Sequence, residues 1–137
     1  MDNMLIRDRY KIKSYNALQP SNELPKFIKT GIAGVLREVS SKRCLFMGYL
    51  LHNNNASRSW VQVFFSPSDE VVLGTTPPDL TISIGASSSI AWDFYWPMED
   101  EQARLGTGLS LVSTTTETGT TGVTTATTGS ILYKEWG

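Results

Sequence analysis

The chain has 137 residues, a single cysteine and a formal net charge of −1, and 40% of its residues are hydrophobic. This length suits one domain with one core, the lone Cys44 excludes an intrachain disulfide, and no stretch approaches the roughly 20 apolar residues of a membrane-spanning helix. The small net charge conceals an asymmetry, since residues 1–43 carry nine Lys and Arg against four Asp and Glu, whereas residues 44–137 carry three against nine.

The first 30 residues differ from the rest, and we interpret them as an extended N-terminal arm and linker. Residues 16–25 contain two prolines among small polar residues, which disfavours a helix or a central strand. Residues 5–15 alternate between apolar and basic types, which is typical of an edge strand that pairs with a partner. The candidate interface residues are Arg7, Arg9, Lys11 and Lys13 on one face of that strand and Tyr10 and Ile12 on the other.

A basic arm on an acidic body has three interpretations. It could neutralise nucleic-acid phosphates, bind an acidic protein surface such as the body of a neighbouring copy, or be a solvated tail. We expect a protein partner, because four basic residues on an otherwise acidic chain make a weak nucleic-acid site. The start of the chain lacks the apolar region of a signal peptide, so we expect synthesis in the cytoplasm, no export signal and no membrane contact.

Residues 31–137 are predicted to form one β domain. Apolar alternation predicts strands at 34–40, 45–52, 60–65, 80–84, 90–96, 109–113 and 131–136, with a further short strand at 71–73. The second of these is apolar on both faces, which indicates a central strand. The polar residues 53–57 lie between two β-rich runs and predict a hairpin. Residues 98–104 are the only stretch suited to a helical turn.

Residues 114–129 are rich in Thr and Gly and include only Val123 and Ala126 as apolar residues, which fits a long exposed hairpin or a mobile loop. Short strands with turns between them and no intervening helices argue against a parallel sheet and for a sandwich. We therefore predict an all-β fold, an antiparallel β-sandwich or jelly-roll-like domain over residues 31–137, preceded by the extended arm.

The residues that catalysis and metal binding need are scarce. His52 is the only histidine, and no Gly-x-Ser-x-Gly motif surrounds any serine. Zinc needs several Cys or His ligands, and the chain has one of each. Gly106 and Gly108 lack the rest of a phosphate-binding motif, and acidic residues 99–101 lack the spacing of a calcium loop. We expect no catalytic residue, metal or cofactor, and a buried apolar role for Cys44.

An aromatic cluster lies at the end of the strand predicted at residues 90–96. Alternation places Trp92, Phe94 and Trp96 on one face and Tyr95 on the other. We expect these rings to fill the core or a subunit interface, because aromatic side chains bury large apolar areas. The alternative is a binding face on which the three rings stack against a sugar, with Asp93 as a polar neighbour.

An ordered set of patterns runs through residues 31–136. Gly34, Val35 and Leu36 open the first predicted strand, residues 50–56 lead into 60–64, and a Pro-containing loop is followed by residues 82–89 and 108–115. In this order the patterns resemble the small β-sandwich proteins found in tailed-bacteriophage structural gene sets. None of them is catalytic, and the resemblance leaves the arm and residues 97–104 unmatched.

The resemblance implies a non-enzymatic virion structural protein. A capsid decoration or cement protein fits the arm best, with the sandwich on the shell and residues 1–30 bridging to a neighbour. The implied partners are the major capsid protein or neck and tail subunits, together with further copies of the chain, for which a trimer is the expectation. The alternatives are a neck, tail or baseplate component, including a receptor- or glycan-binding module, and a hydrolase that uses Asp93 with Glu99 or Asp100.

Overall fold

The computed structural model describes residues 26–93 and 105–135. Within these ranges the chain forms nine β-strands and one short 3-10 helix, Ser68–Glu70. In chain order the strands are β1 (Lys26–Ile32), β2 (Arg37–Ser40), β3 (Cys44–His52), β4 (Ser59–Phe64), β5 (Leu80–Ile84), β6 (Ser89–Asp93), β7 (Leu105–Gly106), β8 (Leu109–Thr114) and β9 (Thr127–Glu135).

The strands form two antiparallel sheets that pack face to face. The first sheet has the order β1-β9-β3-β6, with β7 also paired to β3, and the second has the order β2-β8-β4-β5. The chain passes repeatedly from one sheet to the other, and the last two strands lie inside sheets whose other members come earlier in the sequence. This order is that of a jelly roll. The predicted all-β, antiparallel, jelly-roll-like sandwich is therefore confirmed.

The core lies between the inner faces of the two sheets. The alternation predicted in β5 is confirmed, since Ile82 and Ile84 are only 3% and 1% exposed. Phe46 and Tyr49 of β3 stack at a ring-centroid distance of 6.2 Å. The remaining buried members of this cluster are Ile32, Cys44, Leu51, Val61, Val63, Leu109, Leu111, Ile131 and Tyr133.

A β-bulge divides β3 into two halves. The pairing with β9 shifts between Phe46 and Gly48, and Met47 has no partner in the register. The extra residue reverses the alternation, so that Phe46 faces the core before the bulge and Tyr49 and Leu51 face it afterwards. Gly48 is thereby placed on the outer face. The prediction of a central strand here is confirmed, because β3 lies between β9 and β6.

The hairpin predicted around residues 53–57 is wrong. Strands β3 and β4 belong to different sheets, so this turn is a corner that carries the chain across the sandwich. Asn53 is fully buried there, and its side-chain nitrogen lies 2.9 Å from the carbonyl oxygen of Ser57 and 3.1 Å from those of Ile84 and Gly85. Its main-chain nitrogen also donates to the Ser88 carbonyl oxygen at 2.8 Å. These contacts join two corners that are distant in sequence.

The outer face of the second sheet is covered by the chain's own loops. Phe64 and Val112 point outward from this sheet and form a small cluster with Val71, against which Leu36 and Leu73 pack. The short strand predicted at residues 71–73 is therefore wrong, because this segment is a loop that supplies apolar cover. A hydrogen bond of 2.7 Å from the Phe65 main-chain nitrogen to the Asp79 carboxylate joins the two ends of this loop.

The Thr/Gly-rich segment is a folded connection between β8 and β9, which lie in different sheets. The Gln62 side-chain nitrogen donates to the Thr114 hydroxyl and to the Gly119 carbonyl oxygen, both at 3.0 Å. At Gly122 the backbone comes so close to Gly34 that a Cβ on either residue would overlap the other's main chain. The segment is thus a third corner and not a hairpin within one sheet.

The strands differ from the sequence expectations at the N-terminal side. β1 begins at Lys26, so it includes five residues that sequence analysis placed in the arm. The strand predicted at residues 34–40 begins only at Arg37, and Val35 is 73% exposed. Residues 1–25, to which the rest of the arm belongs, and the turn expected at residues 98–104 lie outside the described residues.

Candidate functional site

The site residues predicted from sequence are only partly described. Trp92 lies in β6, at one edge of the first sheet, and is 55% exposed. It is therefore not part of the core of this chain. Phe94 and Trp96 lie outside the described residues, as do the arm residues Arg7, Arg9, Tyr10, Lys11, Ile12 and Lys13.

A depression of about 460 Å³ lies on the outer side of the first sheet. It is formed by strands β3, β6 and β9, and the described residues that line it are Gly48, Tyr49, Leu50, Ala91, Trp92, Ser130 and Leu132. Its volume falls within the roughly 300–1,000 Å³ typical of protein binding sites. Sequence analysis identified only Trp92 among these residues.

The depression results from small residues on adjacent strands. Residues directly opposite each other in an antiparallel pair share a face. In one outward-facing row Leu50 lies between Ala91 and Ser130, and in the next row Gly48 lies opposite Leu132. Gly48, Ala91 and Ser130 are small, so the outer surface of the sheet is recessed beside Leu50 and Leu132. The bulge at Met47 creates this pattern, because it moves Gly48 and Leu50 to the outer face.

Trp92 borders the depression at the edge of the sheet. It pairs with Tyr49 in the register, which is 8% exposed and stacks on Phe46 in the core. Because β6 is an edge strand, Trp92 lies at the margin of the sandwich and stays half exposed. Because directly opposed residues share a face, Trp92 leaves the sheet on the inner side with Tyr49, whereas Leu50, which is also 55% exposed, leaves it on the outer side. Leu50 is therefore the exposed apolar side chain on the outer face, and Trp92 contacts the depression from the edge of the sheet.

The two outer faces of the sandwich therefore differ. The second sheet carries its own apolar cover of loop residues, whereas Leu50 on the outer face of the first sheet remains half exposed. Among the described residues the large exposed hydrophobic side chains other than Leu50 and Trp92 are Val35 and Val72, and both lie in loops outside the strands. The depression thus lies beside an exposed apolar side chain, Leu50, on the outer face of the first sheet.

The arm joins the fold close to this depression. Lys26, the first residue of β1, pairs with Tyr133, and Phe27 pairs with Leu132, which lines the depression. Since neighbouring strands are about 4.8 Å apart, the start of β1 is one strand away from Leu132. Lys26, where the described part of the chain begins, therefore lies in the sheet that carries the depression.

A polar cluster lies where β2, β3 and β9 come together. The Ser40 hydroxyl donates to the Glu135 carboxylate at 2.6 Å, and both residues are buried. Cys44 pairs with Glu135 in the register and is 2% exposed. Burial, with a smaller effect of the negative charge of Glu135, raises the pKa of the Cys44 thiol from 9.0 to about 12. The thiol is therefore neutral and a weak nucleophile, and the predicted buried role of Cys44 is confirmed.

His52 has a hydrogen-bond partner on the neighbouring strand. Its Nδ1 lies 2.8 Å from the Ser89 hydroxyl, and the two residues pair between β3 and β6.

In residues 26–93 and 105–135, no group of three or more His, Cys, Asp or Glu side chains is arranged to hold a metal ion. The same ranges contain no helix with the length and apolar character needed to span a membrane.

Compared with known proteins, the chain matches no family model, and no curated protein or solved structure is significantly similar to it.

Proposed function

We propose that this chain is a non-enzymatic structural protein of a bacteriophage virion, a capsid decoration or cement protein whose N-terminal arm bridges to a neighbouring subunit. The jelly-roll body is the part that sits on the shell, and residues 1–25 are the part that reaches a second subunit. The placement on a phage virion comes from the sequence resemblance alone. The bridging mechanism is supported by the fold.

One observation carries the bridging mechanism. A segment with a basic and an apolar face enters the body through β1, an edge strand, and the same sheet presents an exposed apolar depression. An arm that adds main-chain and apolar contacts at a junction gives affinity without a large rigid interface. The acidic body of a neighbouring copy complements the basic face of the arm, since residues 44–137 carry nine acidic against three basic residues.

The test compares the solution mass of the full chain with that of a chain beginning at Lys26, by light scattering after gel filtration. The shortened chain must begin at Lys26, because starting at Gly31 would remove five of the seven residues of β1. We expect the full chain to form an oligomer and the shortened chain to be a monomer. A trimer is the state that the resemblance to decoration and cement proteins implies.

Two controls make the result interpretable. A cooperative urea transition of the shortened chain would show that it keeps the sandwich intact. A full-length variant in which Arg7, Arg9, Lys11 and Lys13 are replaced by Ser separates charge from apolar contact as the source of assembly. A monomeric full chain would overturn self-assembly through the arm, and incubation with purified capsids would then test bridging to a different subunit.

A carbohydrate-binding module is the second candidate, favoured by the half-exposed Trp92 beside the depression. An exposed tryptophan can stack against the apolar face of a sugar ring, and Ser130 supplies a hydroxyl nearby. In this case glycan-array binding by the full chain would be lost on Trp92→Ala without a change in the urea midpoint. Val72→Ala, at a residue that is 60% exposed elsewhere, is the matched control.

A further inference from the structure

We propose that the depression on the first sheet is the docking site for the apolar face of residues 5–15 from a second copy of this chain. This inference rests on the arm-mediated assembly proposed above and adds the location of the contact. It assigns one partner to the depression: Tyr10 and Ile12 insert beside Leu50 and Leu132, while the basic face of the arm stays in contact with solvent and the acidic body.

The acceptor surface is preformed. Gly48, Ala91 and Ser130 are small, and the larger apolar side chains of Leu50 and Leu132 stand beside them on the same outer face. The floor is made of strand backbone that is already hydrogen-bonded to its neighbours, so it needs no rearrangement to accept a side chain. No described loop covers this face, in contrast to the outer face of the second sheet, which carries Val71 and Leu73.

The arm has the matching pattern. In an extended strand Tyr10 and Ile12 share one face, preceded on that face by Ile6 and the charged Asp8, and lie opposite Arg7, Arg9, Lys11 and Lys13. Tyr10 and Ile12 are two residues apart, which separates their side chains by about 6.6–7 Å. The depression spans three strands, or about 10 Å at the usual strand spacing. One extended segment can therefore place both side chains in the depression while it exposes its charged face.

The linker favours a neighbouring copy over the arm's own domain. The depression lies level with Phe27 and Lys29 of β1, behind the point at which the chain leaves the sheet. A proline biases the residue before it towards extended backbone, and Pro25 directly precedes β1, so docking on the same domain would require the chain to reverse direction before Lys26. From Lys26 to Ile12 is 14 residues, which reach up to about 46–50 Å when extended. This exceeds the roughly 34 Å diameter of a domain of this size.

Cross-linking between two different single variants tests the contact. One preparation carries Ile12→Cys and the other Leu50→Cys, each in the full chain. They are mixed in equal amounts and treated with a short bismaleimide. Cys44 gives little background, because it is 2% exposed and its thiol remains protonated. We expect a covalent dimer in the mixture at least fivefold more abundant than in either preparation alone.

The matched control replaces Leu50→Cys by Val72→Cys, since Val72 is 60% exposed but lies on the opposite side of the sandwich. Equal cross-linking to Val72→Cys would overturn the assignment of the site. A double variant with both cysteines in one chain, diluted until it is monomeric, reports docking within a chain. Efficient intramolecular cross-linking there, with none between chains, would overturn the second copy as the partner.

The solution mass separates failure of this inference from failure of the proposed function. If the full chain assembles and the chain beginning at Lys26 does not, but no Ile12–Leu50 cross-link forms, then the arm bridges at a different surface and only the docking site is wrong. If the full chain is monomeric and no cross-link forms, self-assembly and the docking site are both wrong. Glycan binding that depends on Trp92, without cross-linking, would assign the depression to carbohydrate instead.

Discussion

The side-chain nitrogen of Asn53 lies 3.1 Å from the main-chain carbonyl oxygen of Ile84, across two loops that each carry the chain from one sheet to the other. Its side-chain oxygen accepts hydrogen bonds from the main-chain and side-chain nitrogens of Asn55 at 2.9 and 3.0 Å. Asn55 in turn bonds the Thr125 main chain in the third corner. Asn53 thus fastens the corners at one end of the sandwich together.

Replacement of Asn53 by Ala should destabilise the fold by about 2–3 kcal/mol, because buried carbonyl oxygens lose their donor. Urea unfolding followed by tryptophan fluorescence measures the loss. Asn54→Ala is the control: Asn54 also bonds the third corner, at 3.1 Å, but it is exposed, so water can replace its contacts. We expect a loss below about 1 kcal/mol there. Equal losses would show that burial at Asn53 is not the determinant.

Gly129 in β9 should not tolerate a side chain. Its φ of +147° is rare for other residues, and an added Cβ would overlap the Leu50 carbonyl oxygen. We expect Gly129→Ala to cost more than the roughly 1–3 kcal/mol of backbone strain alone. Gly31→Ala is the comparison, since its added Cβ meets only the Ala126 side chain at 3.4 Å. Thermal unfolding by circular dichroism distinguishes the two, and similar midpoints would contradict the strain argument.

Aromatic residues of the core and of the depression should differ in their contribution to stability. Phe46 is fully buried, so Phe46→Ala should lower the free energy of unfolding by about 3–5 kcal/mol. Trp92 is 55% exposed, and we expect Trp92→Ala to cost less than about 1.5 kcal/mol in the monomer. Chemical denaturation of the chain beginning at Lys26 gives both values without a contribution from assembly. A large loss at Trp92 would mean that its role is structural.

The Cys44 thiol should make stability fall at alkaline pH. Its pKa is raised in the fold from 9.0 to about 12, so the folded state holds the proton more tightly than the unfolded state does. This contribution is fully present below pH 9.0 and is lost as the pH rises towards about 12. Unfolding free energies measured from pH 8 upward should therefore fall more steeply for the wild type than for Cys44→Ala. Parallel curves would contradict the shift.

Local patterns predicted the strands better than their arrangement. Strict alternation marked β5, and a continuous apolar run marked β3 as central, because each pattern depends only on which faces are buried. The sequence predicts a hairpin after His52 where the structure has a corner between the two sheets, because hairpin turns and corners contain the same polar residues. The difference depends on the Asn53 amide and its contacts with Ile84 and Gly85, about 30 residues away, which no local pattern contains.

The candidate site was predictable only in part. Trp92 was singled out as one of a set of aromatic residues, but the depression beside it depends on Gly48 and Leu50 facing outward. That orientation follows from the bulge at Met47, which is hidden inside a run of apolar residues. The small residues Ala91 and Ser130 carry no signal of their own. They matter because the register places them beside Leu50.

The positions of β8 and β9 have a consequence for the order of folding during synthesis. β9 lies between β1 and β3, and β8 lies between β2 and β4, so each sheet has a gap at its centre until residues 109–135 have left the ribosome. Until then β1 and β3 present unpaired edges, which are prone to join other chains. Such long-range pairing is intrinsically slow. A nascent chain of this protein therefore remains exposed to aggregation until β9 has been made.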